Sequence, residues 1–416
     1  MKSKVKVLLV SPPYKEIKFH KQVQEWDFIN GVKYMNPGLL ITASILDQNN
    51  IENKIIKIDS LNNMSCLDKE LDFDGDILAG LSCTSAWEYL ESLSIIDYIK
   101  SQNKSAKTYI AGWQIKSIGT KVFDDNKNVD FAILSEAETT TLNLVSNYKN
   151  PNFSDVGIVS RQNRIIKKGN TNFEFQVIDF SKYPNYKEYT PFVEDSRNCP
   201  YRCNFCLNSV IKEPYRIVPL DIVKKNIENI EKLYGTDAEV NFLSANFGVD
   251  AKRTLDLLDY LNDKKLKWNF EFHIDNPWEK YIDKIKLANL KKCSIGFESA
   301  NISTLKLMNK TKNPENYLKR FDLLINKLNG MGIKPSINVL YYPSDTKESI
   351  KETNDFLKLY EGKYRKIRKN FTIGFEGILK NFDEYKTEDN EYFKKIHAKP
   401  ICPKDMSMEE TLNLCK

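Results

Sequence analysis

The chain has 416 residues, of which 41% are hydrophobic and 28% are charged, and its formal net charge is +6. This composition is typical of a globular protein with two or three domains. No stretch is long and apolar enough to span a bilayer, and no Lys/Arg block is dense enough to indicate nucleic-acid binding. We therefore predict neither a membrane nor a nucleic-acid partner.

The N-terminal residues 1–5 run directly into an apolar strand, without the pattern of a signal peptide. We therefore expect a cytoplasmic protein. In that compartment the eight cysteines are expected to be reduced ligands or core residues rather than disulfides.

Residues 1–150 alternate short apolar runs with segments of helical periodicity. The predicted strands are 5–10, 54–58, 77–82, 108–111 and 130–134, and the predicted helices are 37–49, 87–100 and 138–148. This alternation predicts an α/β domain with a doubly wound, Rossmann-like parallel sheet. Ligands of such sheets bind beyond the carboxyl ends of the strands. The candidate binding loops are therefore 11–14, 82–86, 112–117 and 135–139.

Residues 151–190 are predicted to be a connector that holds a small hairpin, formed by 156–159 and 165–168. Six strand–helix repeats follow within 191–375 and predict a partial (β/α)6 barrel. Its predicted strands are 192–194, 239–243, 268–272, 293–297, 334–340 and 371–373. Active sites of parallel barrels lie at the carboxyl ends of the strands. Residues 376–416 are predicted to be a short C-terminal tail.

Three cysteines follow the first predicted barrel strand with the spacing C-x3-C-x2-C: Cys199, Cys203 and Cys206. Thiolates at this spacing can bind one iron–sulfur cluster. A four-iron cluster normally takes four ligands, so three cysteines leave one iron open to the amino and carboxylate groups of S-adenosylmethionine (SAM). The alternatives are a structural zinc site or incidental core cysteines. Zinc sites usually close with four ligands, and no fourth Cys or His lies nearby in the sequence.

This spacing, with Phe205 directly before the last cysteine, resembles the signature of the radical SAM family. The resemblance implies a [4Fe-4S] cluster and SAM as cofactors, and a reductant such as flavodoxin or ferredoxin. The segment Gly296-Phe297-Glu298-Ser299 resembles the family's Gly-x-Glu-Ser, which implies SAM contacts from Glu298 and Ser299. A helix-capping pair is the alternative. Asn338, near the end of the fifth barrel strand, is a further candidate SAM contact.

The first third of the chain resembles the cobalamin-binding domain that precedes the barrel in one subgroup of this family. The matching segments are Ser11-Pro12-Pro13, Asn36-Pro37-Gly38-Leu39, Ser82 to Thr84, and Gly112. The resemblance implies cobalamin as a cofactor, with contacts from Ser82, Thr84, Gly112, Trp113 and Glu136.

Two loops of this domain depart from the subgroup's pattern. Trp113 and Gln114 stand where relatives often have Pro-His, and Ala137 replaces the second glycine of Gly-Glu-Gly-Glu. Glycine lets backbone approach a cofactor closely, so these changes would narrow a cobalamin groove. The alternative is a scaffold domain that does not bind cobalamin.

Two further residues are candidates for catalysis. His273 ends the third barrel strand and is a candidate general base. Cys402, together with Cys415, is a candidate catalytic thiol or auxiliary cluster ligand. The alternative for the remaining cysteines is a structural role in the hydrophobic core, where a free thiol behaves as a small hydrophobic group.

The resemblance implies a cobalamin-dependent radical SAM enzyme that methylates an unactivated carbon of a small-molecule or peptide intermediate. A 5′-deoxyadenosyl radical would abstract hydrogen, and methylcobalamin would deliver the methyl group. The alternative is a radical SAM enzyme without cobalamin that catalyses rearrangement, dehydration, dehydrogenation or ring formation. A third hypothesis is a zinc-stabilised α/β binding protein without catalytic activity.

Overall fold

A computed structural model of the chain describes residues 4–13, 35–167, 174–211, 213–285, 289–376, 385 and 390–415. The described residues form two compact units. The first contains the described residues up to 189 and the short segment Lys395–His397, and the second contains the described residues from 190 onwards apart from that segment. Residues 151–167 and 174–189, from the predicted connector, group with the first unit.

The first unit is built on a sheet of six strands: β1 Val5–Ser11, β2 Glu52–Lys57, β3 Asp76–Ser82, β4 Lys107–Ala111, β5 Phe131–Ile133 and β6 Ile158–Ser160. The strand order is β2-β1-β3-β4-β5-β6, and the first five strands are parallel. The doubly wound sheet predicted from the alternation is thereby confirmed. Its order reverses between β1 and β3, and this is the point at which such sheets bind ligands.

The hairpin predicted in residues 156–168 is not formed as expected. Ile158–Ser160 instead pairs antiparallel with β5 and becomes the edge strand of the sheet. A single bridge joins Val156 to Lys167. The backbone groups of β5 need a partner on their open side, and β6 supplies it.

The helices of this unit are α1 Pro37–Gln48, α2 Asp68–Leu71, α3 Tyr89–Gln102, α4 Trp113–Ile118, α5 Val122–Asp125 and α6 Ala137–Asn147. Short 3-10 turns lie at Ser65–Leu67, Ala86–Glu88, Gly119–Lys121, Phe180–Lys182 and Tyr186–Glu188. Helix α1 begins where the sequence predicts, because Pro37 suits the first turn and the Asn36 side chain accepts a hydrogen bond from the Leu39 N–H.

The tail segment Lys395–His397 has specific partners in the first unit. The buried side chain of Gln114 donates a 2.7 Å hydrogen bond from Nε2 to the carbonyl of Ile396, whose own side chain is fully buried. The His397 Nε2 lies 2.6 Å from Asp125 Oδ2. This three-residue segment therefore lies beside the loop that follows β4.

The second unit is built on a sheet of seven strands: β7 Phe192–Val193, β10 Glu239–Phe242, β11 Lys267–His273, β12 Leu290–Glu298, β13 Ser336–Tyr341, β14 Lys366–Phe375 and β15 Ala398–Ile401. A separate antiparallel pair is formed by β8 Ser196–Arg197 and β9 Arg216–Ile217. The sheet order is β15-β14-β13-β12-β11-β10-β7. Strands β7 and β10 to β14 pair in parallel, in chain order, as the predicted six-stranded partial barrel requires.

The helices of the second unit are α7 Leu207–Ile211, α8 Leu220–Tyr234, α9 Ala251–Asn262, α10 Ile282–Ile285, α11 Ile302–Leu307, α12 Pro314–Gly330, α13 Lys347–Lys358, α14 Glu391–Lys395 and α15 Met408–Cys415. A 3-10 turn lies at Trp278–Lys280, so the helix predicted from 278 is broken before α10. None of the helices in the described ranges is long and apolar enough to cross a membrane.

The two faces of the barrel sheet differ in polarity. On one face, Phe297 is fully buried, and its ring centroid lies 4.5 Å from that of Phe321 on α12. Residues two apart share a face of a strand, so Ile295 belongs to this helix-covered face and Ser294 to the opposite one. We call that opposite face the luminal face.

The tail completes the edge of this sheet. Strand β15 pairs antiparallel with β14, and α15 packs against β14. Cys402 directly follows β15 and is buried, as is Cys415 at the end of α15.

Candidate active site

The loop between β8 and α7 carries the three clustered cysteines. Cys203 is buried, and Cys199 and Cys206 are half-buried. Burial raises the pKa of all three thiols, that of Cys203 to about 12, while the nearby charge of Lys310 acts in the opposite direction. Thiolate ligands at this position therefore depend on a bound cationic centre for their stability.

The donor set fits an iron–sulfur cluster better than a single ion. Within the described ranges, no three His, Cys, Asp or Glu side chains stand close enough together to hold one metal ion. A structural zinc site needs four ligands around one ion, so the zinc alternative has no support here. The cysteines of a four-iron cluster bind separate irons and stand farther apart. The charges of Cys206 and Cys199 also raise the pKa of Cys203, which indicates that the three thiols lie near one another.

A turn after α11 anchors the cysteine loop. The Asn204 backbone N–H donates to the Met308 carbonyl at 2.8 Å, and its side-chain Nδ2 donates to the Leu307 carbonyl at 2.7 Å. In the other direction, Asn309 Nδ2 donates to the Arg202 carbonyl at 2.7 Å. Asn309 has a φ of 49°, in the left-handed region that asparagine tolerates.

Phe205 lies against an apolar cluster formed by Met308, Tyr342 and Ile401. This packing gives the aromatic ring a structural role beside the cysteines. We propose that Phe205 also flanks the bound cluster, because it directly precedes Cys206.

Glu298 stands at the carboxyl end of β12 and is paired with Lys310. The Lys310 Nζ lies 3.1 Å from Glu298 Oε1, and both side chains are largely buried. Burial raises the pKa of Glu298, and Lys310 opposes that rise. Burial by itself would lower the pKa of Lys310, but the attraction of Glu298 and then of Cys203 raises it. This pair therefore offers a carboxylate and an ammonium group close to the cysteines.

Ser299 and Asn338 differ in their surroundings. The Ser299 hydroxyl lies 3.2 Å from Thr353 Oγ1 and accepts a 3.1 Å hydrogen bond from the Asn301 N–H, next to the start of α11. We propose that Ser299 positions the end of β12. Asn338 lies opposite Gly296 in the sheet, on the luminal face, and we propose it as a ligand contact.

The His273 ring has partners on both nitrogens. Its Nδ1 accepts a 3.0 Å hydrogen bond from the Asp275 N–H, so the proton lies on Nε2, which is 3.1 Å from the Lys310 carbonyl. Burial, and secondly the charge of Lys310, hold the pKa of His273 well below its usual value. The ring also stacks on Tyr201 of the cysteine loop, with centroids 4.0 Å apart.

This geometry favours a positioning role for His273 over the predicted general base. A neutral imidazole with both nitrogens engaged joins the cysteine loop to the Lys310 turn. We propose that it holds these two segments together. The spacing of the sequence carried no signal for this bridge.

A buried carboxyl group near the end of β7 was also missed. Asp195 accepts a hydrogen bond from the Ser244 hydroxyl. Burial raises its pKa to about 7, although Arg253 lowers it. Ser244 lies in the loop that follows β10. Asp195 thus supplies an acidic group to this end of the barrel from the neighbouring strand.

In the first unit, the predicted cobalamin contacts Ser82 and Thr84 both form hydrogen bonds with other side chains of the protein. Ser82 Oγ accepts a 2.7 Å hydrogen bond from Asn36 Nδ2, and Thr84 donates from Oγ1 to Glu88 Oε2 at 2.8 Å. Trp113, at the start of α4, lies under the Lys116 ammonium at 5.3 Å. Glu136 is buried directly before α6. These residues sit after β3, β4 and β5, at the carboxyl edge of the sheet.

Gly112 is required by the protein itself. Its φ is +126°, and a Cβ there would lie 2.2 Å from the Cys83 carbonyl oxygen and 3.1 Å from the Thr84 nitrogen. The resemblance implied only a cobalamin contact for Gly112. The packing of β4 against the loop after β3 already demands a residue without a side chain.

The two tail cysteines, Cys402 and Cys415, form no disulfide bond and are buried. Burial raises the pKa of Cys415 to about 12, which disfavours a thiolate there. The roles of Cys402 as an auxiliary cluster ligand and as a catalytic thiol stay predictions.

Comparison with known proteins identifies the class to which the second unit belongs. A family model described as the radical SAM superfamily matches residues 193–357. The match covers β7, the cysteine loop, the Glu298–Lys310 pair and the helices up to α13. The chain therefore carries a radical SAM domain.

Curated relatives include methyltransferases and methylthiotransferases by name. The bacteriochlorophyllide d C-12(1)-methyltransferase of Chlorobaculum tepidum is 24% identical over 185 residues, which are 42% of this chain and 39% of that protein. An uncharacterized methyltransferase of Pyrococcus horikoshii is 22% identical over 302 residues, covering 69% of this chain and 64% of the relative. The aligned regions thus span less than two thirds of these relatives.

Solved structures show the same fold. The radical SAM methyltransferase TsrM of Kitasatospora setae, with cobalamin and a [4Fe-4S] cluster bound, has a TM-score of 0.70 at 14% identity, covering 89% of this chain and 72% of TsrM. The cobalamin-dependent radical SAM enzyme OxsB, with aqua-cobalamin bound, has a TM-score of 0.63 at 19% identity, covering 95% of this chain and 56% of OxsB. At these identities the likeness establishes the fold.

Proposed function

We propose that this protein is a cobalamin-dependent radical SAM enzyme that methylates an unactivated carbon of a small-molecule or peptide intermediate. The observation that carries the proposal is the placement of three cysteine thiols beside the Glu298–Lys310 pair at the carboxyl ends of the barrel strands. The fold shared with TsrM and OxsB supports the cobalamin part.

The chain's own residues have separate tasks in this proposal. When bound, the cluster supplies the electron that cleaves SAM, and cobalamin supplies the methyl group. Cys199, Cys203 and Cys206 hold the cluster. The Glu298 carboxylate accepts a hydrogen bond from the SAM amine or ribose, and Lys310 opposes the rise of the Glu298 pKa and holds this side chain in place. A flavodoxin or ferredoxin is the proposed reductant.

The cluster assignment is tested by measuring iron after anaerobic reconstitution. Cys203→Ala is expected to lose nearly all cluster iron and all formation of 5′-deoxyadenosine from SAM. Cys66→Ala is the matched control, because Cys66 is an exposed thiol of the first unit. Full iron content in Cys203→Ala would refute the assignment.

The cobalamin assignment is tested separately. Wild-type protein is incubated anaerobically with excess hydroxocobalamin, passed through a desalting column and examined by visible absorbance. Retention of about one corrinoid per chain is the expected outcome. Cys203→Ala should retain the same amount, since its substitution lies in the other unit. Absence of corrinoid from wild type overturns the assignment.

A second candidate is a radical SAM enzyme without cobalamin. One observation favours it: the side chain of Gln114, after β4, is already bonded to the Ile396 carbonyl of the chain's own tail. Such an enzyme would catalyse rearrangement, dehydration, dehydrogenation or ring formation. Formation of 5′-deoxyadenosine by protein that retains no corrinoid, with a product that has not gained a methylene unit, would select this candidate.

A further inference from the structure

The luminal face of the barrel sheet carries a charged group that the cofactor assignments do not use. The strand register aligns His273 with Gly296, Gly296 with Asn338, and Asn338 with Arg368. Arg368 of β14 therefore stands in the same row of the sheet as Gly296, two residues before Glu298. This row lies at the carboxyl ends of β11 and β12.

Contacts of the guanidinium place it on the luminal face. Arg368 Nη1 donates a 3.1 Å hydrogen bond to Ser294 Oγ, and Ser294 is on the face opposite the helix-covered Phe297. The same Nη1 lies 3.4 Å from Glu271 Oε1. Glu271 also acts on the pKa of Glu298 through its charge. Arg368 and the Glu298–Lys310 pair thus belong to one region.

The bonding of Arg368 is incomplete. Its Nε is buried and has no hydrogen-bond partner among the described residues. Among the described residues, its ion-pair partner is Glu271, whose Oε1 lies 3.4 Å from Nη1 and whose side chain is 58% exposed. A solvent-exposed ion pair of this kind contributes little to stability, whereas a buried N–H without a partner is destabilising. The guanidinium can therefore donate further hydrogen bonds to a second anionic group.

We propose that Arg368 is a specificity-determining residue that binds a carboxylate group of the substrate. Arginine presents a planar edge that matches a carboxylate through paired hydrogen bonds, and a carboxylate would satisfy the buried Nε. The negative charges of Glu271 and Glu298 nearby disfavour a doubly charged phosphate. This inference rests on the proposed function, which brings the substrate to the luminal face.

Glu271 has a defined place in this proposal. It is the group that a substrate carboxylate displaces from the guanidinium, and it competes with that carboxylate for the same cation. Removing the charge of Arg368 and removing the charge of Glu271 should therefore have opposite effects on carboxylate binding. A purely structural ion pair predicts the same direction for both changes.

The experiment measures binding of acetate by isothermal titration calorimetry at constant ionic strength, with acetamide as the neutral probe of similar shape. Wild type should bind acetate at least about tenfold more tightly than acetamide, as expected for charge-assisted hydrogen bonds. Arg368→Gln should weaken acetate binding by about tenfold or more. Glu271→Gln should strengthen it. Arg368→Lys, which keeps the charge but loses the planar edge, should fall between wild type and Arg368→Gln.

Lys369→Gln is the matched control, because it removes one positive charge from the next residue of β14, on the other face. Its acetate affinity should equal that of wild type. Equal binding of acetate and acetamide by wild type, an unchanged affinity in both Arg368 variants, or weaker binding in Glu271→Gln would overturn the proposal. Iron and corrinoid contents test the proposed function separately, since acetate binding requires neither group.

Discussion

The carboxylate of Glu298 occupies the space that a side chain at Gly296 would need. A Cβ at Gly296 would lie 2.9 Å from Glu298 Oε1 and 3.0 Å from Lys310 Nζ. Glu298 itself has a φ of 68°, and the register with β13 shifts between Gly296 and Glu298. The end of β12 is therefore irregular in a way that turns the carboxylate back over the glycine.

Gly296→Ala should displace the Glu298–Lys310 pair and weaken SAM binding by roughly tenfold, the effect of losing one charged hydrogen bond. The measurement is calorimetric titration of the reconstituted protein with SAM. Gly330→Ala is the control, because a Cβ there meets no atom within 4 Å. An unchanged SAM affinity in Gly296→Ala would argue against Glu298 as a SAM contact.

The positioning role of His273 predicts a loss of stability together with faster loss of iron. His273→Ala leaves the Asp275 N–H and the Lys310 carbonyl without partners, which should cost about 1–3 kcal/mol of unfolding free energy. His273→Phe keeps an aromatic ring against Tyr201 and should retain iron longer than His273→Ala under a chelator. The rate of iron loss from each variant is followed by the absorbance of the cluster. A general base predicts a different result: normal iron retention in both variants and no turnover in either.

The packing of Gly112 predicts a fold defect rather than a cofactor defect. Gly112→Ala should lower the unfolding free energy of the protein by about 1–3 kcal/mol, because it adds a clash with the Cys83 carbonyl to a strained backbone. Gly119→Ala is the matched control: its φ is +62°, but a Cβ there meets no atom within 4 Å. Urea unfolding of both variants checks this. Equal losses in the two would show that the clash relaxes freely.

Asp195 predicts a stability that depends on pH. Burial, partly opposed by Arg253, raises its pKa from 3.8 to about 7. Between these two values the folded state keeps a proton on Asp195 that the unfolded state releases. The contribution of Asp195 to the free energy of unfolding is therefore fully present below pH 3.8 and is lost as the pH rises through about 7. Asp195→Asn should remove this part of the dependence of the unfolding free energy on pH.

Urea unfolding of wild type and Asp195→Asn at several pH values across this range measures the difference. Asp283→Asn serves as the control, since Asp283 has an exposed side chain and its removal should leave the slope in place. Parallel pH profiles for wild type and Asp195→Asn would contradict the assignment of a raised pKa.

Local patterns in the sequence predicted the parallel strands of both sheets, but not the edge strands β6 and β15. Strands of period two and helices of period 3.6 are set by neighbouring residues, so the alternation of β1 to β5 and of the barrel strands was readable along the chain. The spacing of Cys199, Cys203 and Cys206 is also local, since one loop presents all three. The cysteine spacing, with Phe205 before the last cysteine, carries the resemblance to the radical SAM family.

The tertiary structure decided which side chains meet. Lys310 pairs with Glu298 only because the turn after α11 returns to the end of β12, and Arg368 reaches Ser294 across 74 residues of sequence. Position 112 must lack a side chain because a Cβ there would clash with Cys83, which lies in the loop after the neighbouring strand β3. Strand register and loop packing bring together residues that are distant in the chain, and no local periodicity encodes such pairs. For this reason the partners of His273, Glu298 and Gly112 emerged only from the folded protein.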